Sequence, residues 1–163
     1  MSERSTITGL AGGQPRRLAG MLGMLSRRPD LSERRGLFQI ALVLRIAAAG
    51  LLGWIGYIHW HLWQEGYKFL PTNGPLFLVD AIAAVLLGLV LLAWPRPLGG
   101  LLATGFSVAT IGALVISLSV GLFGFQESIH ASFVVQSLIL ESIAAIILAT
   151  WTVITVFAVP RVR

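Results

Sequence analysis

The sequence predicts an all-α fold: a bundle of four transmembrane helices. Three observations predict it. Hydrophobic residues make up 56% of the chain and charged residues 12%, about half the charged share of a soluble domain, and the mean hydropathy is +0.83. Four apolar stretches each approach or exceed the roughly 20 residues that a spanning helix needs. Basic residues collect on one side of those stretches.

The first stretch runs from Leu37 to Tyr57 and is interrupted by Arg45. The second, Pro75 to Trp94, contains Asp80. Pro95 and Pro97 end it, because proline cannot continue a helix interior. The third runs from Leu98 to Phe123, and the fourth from Ala131 to Val159. The fourth contains Glu141 and ends at Pro160. At 29 residues it exceeds one bilayer, so it is expected to tilt or to extend past the surface. The organisation expected is a basic arm at 1–36, flexible or interfacial, a bundle at 37–160 and a tail at 161–163. The arm carries seven arginines (Arg4, Arg16, Arg17, Arg27, Arg28, Arg34, Arg35) and room for one interfacial helical turn around Leu18 to Leu25. No apolar run precedes a small-residue cleavage site, so the arm is not read as a signal peptide.

Orientation follows from the positive-inside rule. The arm, the 95–98 turn with Arg96, and the tail with Arg161 and Arg163 hold ten of the twelve basic residues. Both termini are therefore expected in the cytoplasm, with the protein in the plasma (cell inner) membrane. Trp54, Trp60 and Trp63 would mark the outer interface and Trp94 the inner one, as aromatic belts do.

Several function classes are excluded. The chain has no cysteine, which removes disulfides, thiolate metal sites and cysteine nucleophiles. It has no phosphate-binding loop, nucleophile elbow, zinc-protease signature or dinucleotide fingerprint, so the reading leans away from an enzyme. The arm lacks interleaved aromatics and belongs at a membrane surface. Anionic lipid fits it as a partner, and nucleic acid does not.

The acids in the apolar stretches carry the main functional signal. Residues 78–87 read LVDAIAAVLL and residues 139–148 read ILESIAAIIL, an offset of 61 positions. One reading is a pseudo-repeat of two helical hairpins running in parallel. The other is chance likeness between alanine-rich helices, since the first and third stretches do not align at that offset. On a helix Asp80 shares a face with Ala84 and Gly88, and Glu141 with Ser137, Ala145 and Ala149. Acids in membrane helices rarely face lipid, so both are expected inside the bundle. Asp80 is expected about five residues into its helix, roughly 8 Å deep, and Glu141 about ten residues in. Arg45 sits roughly 12 Å above the opposite boundary, too far to reach Asp80, so it is expected to snorkel to the headgroups. The competing structural reading of the acids is a carboxyl hydrogen-bonded to its nearest helix.

Three histidines lie near the same side. His59 and His61 are two apart, so on a helix they point in nearly opposite directions. His130 sits in the other outer loop. With Asp80 and Glu141 they are candidates to surround a cavity in the outer half. Histidines and carboxylates suit zinc, manganese or a proton relay. Histidines beside tryptophans also serve as plain belt residues. A haem would need two opposed histidines, which only His59 or His61 with His130 supplies. The sequence identifies no cofactor.

The third stretch places Gly105, Ala109, Ala113, Ser117 and Gly121 at every fourth position. Such a row is a groove for close helix contact, with a partner either within the chain or in a second copy. HLWQEGYKFLPTNGPLFLVDA (61–81) and LSVGLFGFQES (118–128) resemble stretches of small four-helix membrane proteins of actinobacteria. That resemblance covers the helices and not the arm. It implies a fold and an envelope location, and it draws attention to the junction of the first outer loop with the second helix. Three functional readings follow. The first is a binding, accessory or complex-forming membrane subunit with a ligand or ion site in the outer half. The second is a small transporter or proton- or ion-coupled carrier using Asp80 and Glu141. The third is a haem or metal redox module.

Overall fold

The computed structural model describes residues 14–27 and 35–158. The expectations for a flexible arm at 1–13 and 28–34, and for the tail at 161–163, lie outside the described residues. The helices are α1 (Gln14–Leu25), α2 (Arg35–Glu65), α3 (Asn73–Ala93), α4 (Pro97–Ser119) and α5 (Val134–Phe157). α1 spans 12 residues and so is longer than the single turn expected there.

α2 to α5 are each long and apolar enough to cross a membrane. α2 is the exception in length. Its 31 residues span about 47 Å at ~1.5 Å per residue, well beyond a hydrocarbon core of about 30 Å. The first stretch therefore continues as helix past Tyr57 and carries His59 and His61 on its last turns. α3 stops at Ala93 and α4 starts on Pro97, with a three-residue turn between them. Proline at the first helical position costs no hydrogen bond, because that N–H has no helical partner in any case.

The helices form a ring in which α2 packs on α3, α5 packs on α2 and α4 packs on α5. The remaining seam, between α3 and α4, is the least extensive of the four. The end with the α3–α4 turn is called the turn end here. The end with the α2–α3 and α4–α5 connections is called the loop end. α1 lies at the turn end against α4. Arg96 ties it there: its Nη1 donates to the Ser26 carbonyl at 2.6 Å, and its guanidinium lies 4.4 Å from the Trp94 ring centre.

The buried core is Ala41, Ala48, Leu52 and Ile55 of α2, Ala84 and Leu91 of α3, Ala103 of α4, and Ala144, Leu148 and Trp151 of α5. Trp151 is its largest member and is 1% exposed. Its ring lies over Gly100, where a Cβ would come within 2.7 Å of two indole carbons. Glycine is thus required for α4 to approach α5 at the turn end. Threonine hydroxyls within the spans are satisfied locally, whereas the buried Ser107 hydroxyl has no partner among the described residues. Thr104, Thr152 and Thr155 each donate to the carbonyl four residues back, at 2.7–2.9 Å, a common way to place threonine in a membrane helix.

The small-residue row on α4 is not a continuous packing face. Gly105 and Ala109 are exposed, Ala113 is half-buried, Ser117 is buried, and Gly121 lies beyond the helix end. The face that is buried carries Pro97, Gly100, Ala103, Ser107 and Thr110. The reason is geometric. A four-residue step turns a helix about 40° past a full revolution, so a strict row winds away from its partner, whereas mixed steps of three and four stay on it. The same drift corrects the α5 face. Ser137 and Glu141 continue through buried Ala144 and Leu148, while Ala145 is half-buried and Ala149 exposed.

The contrast between the two glycines gives a test. Gly100→Ala should lower unfolding stability in detergent or lipid by about 1–3 kcal/mol, the range for overpacking. Gly105→Ala, where an added Cβ meets nothing within 4 Å, should not lower it. A thermal-melt comparison of the two variants checks this.

Candidate ligand site

The two acids lie at matched positions, each seven residues after the start of its helix (Asn73 to Asp80, Val134 to Glu141). The unequal depths expected from the apolar stretches are corrected by where the helices begin. The fourth helix starts at Val134 and not at Ala131. The second starts at Asn73 and not at Pro75.

Glu141 is 1% exposed and faces α2. Its Oε1 is 3.9 Å from Nε2 of His59, and its Oε2 has no hydrogen-bond partner among the described residues. The Thr110 hydroxyl of α4 lies beside this carboxyl, but it donates to the Ser107 carbonyl at 3.0 Å. His59 is buried, and its Nδ1 is 2.9 Å from the Ile55 carbonyl. A carbonyl can only accept, so Nδ1 carries a hydrogen. Nε2 is then the atom that faces Glu141, at a separation beyond hydrogen-bonding range. The two groups are close without being directly hydrogen-bonded. Asp80, half-buried on α3, is near both.

These three groups line one cavity of about 520 Å3 between α3 and α4 in the loop-end half. Its walls are mostly apolar. Exposed Leu76 and Ile116 lie at its rim, so it opens sideways through the loose α3–α4 seam. Ala109, Ala113 and Ser117 of the small-residue row line it too. There they leave space, and no helix fills it.

The loop end roofs this cleft. A single 3-10 turn at Tyr67–Phe69 leads into α3. The Tyr67 hydroxyl donates to Oε2 of Glu127 in the α4–α5 connection. Asn73 donates to the Leu122 carbonyl at 3.2 Å, and the Glu127 N–H donates to the Ser117 carbonyl at 3.1 Å. The Tyr67 ring lies 4.4 Å from Phe77, tilted by 34°, and meets Phe125 edge-on at 5.7 Å. Gly74 allows the roof to close, since a Cβ there would lie 2.7 Å from the Tyr67 carbonyl. Tyr67 and Glu127 were not singled out by the sequence. Both lie outside the α-helices, where no helical periodicity marks an inward face.

The other predicted residues lie elsewhere. His61 sits on the far side of α2 from His59. It stacks on Tyr57, and its Nε2 is 3.2 Å from Oε1 of Glu65. His130 is exposed in the α4–α5 connection, so it does not oppose His59 from a facing helix as a haem pair would require. Among the described residues, no group of three or more His, Asp and Glu is placed to hold a metal ion. Arg45 is half-buried and its Nε has no partner among the described residues. It belongs to the turn-end half of α2, away from the acids.

Comparison with protein-family models, with curated proteins and with solved structures returned no match. The class therefore rests on the helices themselves. Four of them are long and apolar enough to span a bilayer, and they pack around one core. This makes the chain a multi-pass membrane protein.

Burial, followed by the hydrogen bond to Glu127 and its charge, pushes the Tyr67 hydroxyl well above its ordinary value. The folded state thus holds this proton more tightly than the unfolded chain. The stabilisation is complete below pH about 10 and is lost as pH rises further. Tyr67→Phe should cost about 1–2 kcal/mol at neutral pH, because the half-buried Glu127 loses a donor. The loss relative to wild type should shrink above pH about 10. Thermal melts of both proteins across pH check the size and the sign.

Proposed function

We propose that this protein is a small binding or accessory subunit of the plasma membrane that takes an amphipathic small molecule into the α3–α4 cleft. The observation that carries the reading is Glu141: a fully buried carboxyl with an unused acceptor, facing a cavity of about 520 Å3. Ligand pockets commonly measure about 300–1,000 Å3 and combine apolar walls with a few polar anchors. The sideways opening supports entry from the lipid. The turn-end half is filled by Trp151 against Gly100, which supports binding over passage across the membrane. The charge asymmetry supports termini in the cytoplasm, which puts the cleft in the outer half.

The test uses a fluorescent apolar probe. In lipid nanodiscs, 1-aminoanthracene should bind saturably, one per protein, above the protein-free background. Ala113→Phe, which fills the cleft from α4, should weaken binding by at least about tenfold, about 1.4 kcal/mol. Binding that ignores Ala113→Phe, or no saturable binding at all, would sink the cleft as a ligand site.

A further inference from the structure

We infer that the ligand taken by the cleft is a lipophilic organic cation. This deepens the ligand-binding reading above and rests on it. Three carboxyls line the cavity (Asp80, Glu127 and Glu141), and among the described residues no lysine or arginine does. Glu127 is already engaged by the Tyr67 hydroxyl and the Ser128 N–H. Asp80 and Glu141 remain, with one imidazole, His59, set against both. One imidazole cannot neutralise two carboxylates.

Glu141 is the decisive group. An ionised carboxyl taken out of water needs a charge partner or a full set of hydrogen bonds. Glu141 is 1% exposed, and its Oε2 has no partner among the described residues. The Thr110 hydroxyl beside it donates to its own helix, to the Ser107 carbonyl at 3.0 Å. The site is thus short of positive charge at the point where it is driest.

The walls fit the same ligand. Phe77, Phe106 and Phe125 line the cavity, and aromatic faces attract cations. An anion would meet carboxyls and ring faces with no basic side chain but His59 to receive it. A neutral apolar ligand would leave Glu141 unpaired. A lipophilic cation pairs the acids, covers the rings and reaches the cleft from the bilayer through the α3–α4 seam.

Two ions of nearly the same shape and opposite charge test this. Tetraphenylphosphonium and tetraphenylborate are each titrated against the protein in nanodiscs, with protein-free nanodiscs as background. Tetraphenylphosphonium should bind saturably, and tetraphenylborate at least about tenfold more weakly. The Asp80→Asn/Glu141→Gln double variant should lose at least about tenfold in tetraphenylphosphonium affinity. Asp80→Asn alone replaces it should the double variant lose its melting transition. Equal binding of the two ions, preference for the borate, no saturable phosphonium binding, or unchanged phosphonium affinity in the variant would each overturn the inference. If 1-aminoanthracene still binds the wild type under those outcomes, the cleft reading stands and only the charge assignment fails. Phosphonium binding that ignores Ala113→Phe would place the cation outside the cleft and overturn the inference, and the 1-aminoanthracene result would still decide the cleft reading.

Discussion

The structure depends on the contact between Trp151 and Gly100. One large ring meets one absent side chain, and that meeting brings α4 against α5 at the turn end. The loop end has no counterpart. Where the turn end has an indole, the loop end has Ala109, Ala113 and Ser117 on α4 facing Asp80 and Phe77 on α3. Membrane helices gain little from hydrophobic driving force, and they associate by close packing and hydrogen bonding. A bundle closed at one end by a tight fit therefore opens at the other where the fit is missing. The cleft follows from how large and small residues are distributed, and no special backbone feature is needed to make it.

The polar groups sort by the same logic. Threonine hydroxyls in the spans bond to their own helix carbonyls and need no other partner. Asn73 and Tyr67 bond to the opposite connection and hold the roof. Glu141 does neither: its Oε2 has no partner among the described residues. It lines the cavity between α3 and α4. Asp80, one helix away at the matched position, faces the same space. The acids are coupled by geometry through the gap between α3 and α4.

Much of this was legible in the sequence, and the remainder was hidden for physical reasons. The four spans and the helix stop at Pro95 and Pro97 follow from hydropathy and from the missing proline N–H. The inward placement of Asp80 and Glu141 follows from the cost of an acid in lipid. Of the three histidines, the structure brings only His59 to the acids. The two-residue spacing announced that His59 and His61 would diverge, but not which would face inward. His130 was drawn into the site by its nearness in sequence to the fourth helix, yet it lies on irregular backbone that no periodicity governs. The row of small residues on α4 was visible, but its meaning was not. A strict fourfold spacing winds around the helix, so part of it is exposed and part lines the cleft. Tyr67 and Glu127 were hidden because a roof made by two connections depends on turns and on contacts distant in sequence.

The central claim is that the bundle is closed around Ala103 and open around Ala113. The chain has no native cysteine, so single cysteines report each place without background. A thiol reacts with a maleimide only where it can ionise and be reached. With the protein in lipid, Ala113→Cys and Ser137→Cys should label with N-phenylmaleimide, while Ala103→Cys, at a position with 0% exposure, should not. Prior addition of tetraphenylphosphonium should slow the labelling at Ala113→Cys. Equal reactivity at 103 and 113, or an inert cysteine at 113, would contradict the account.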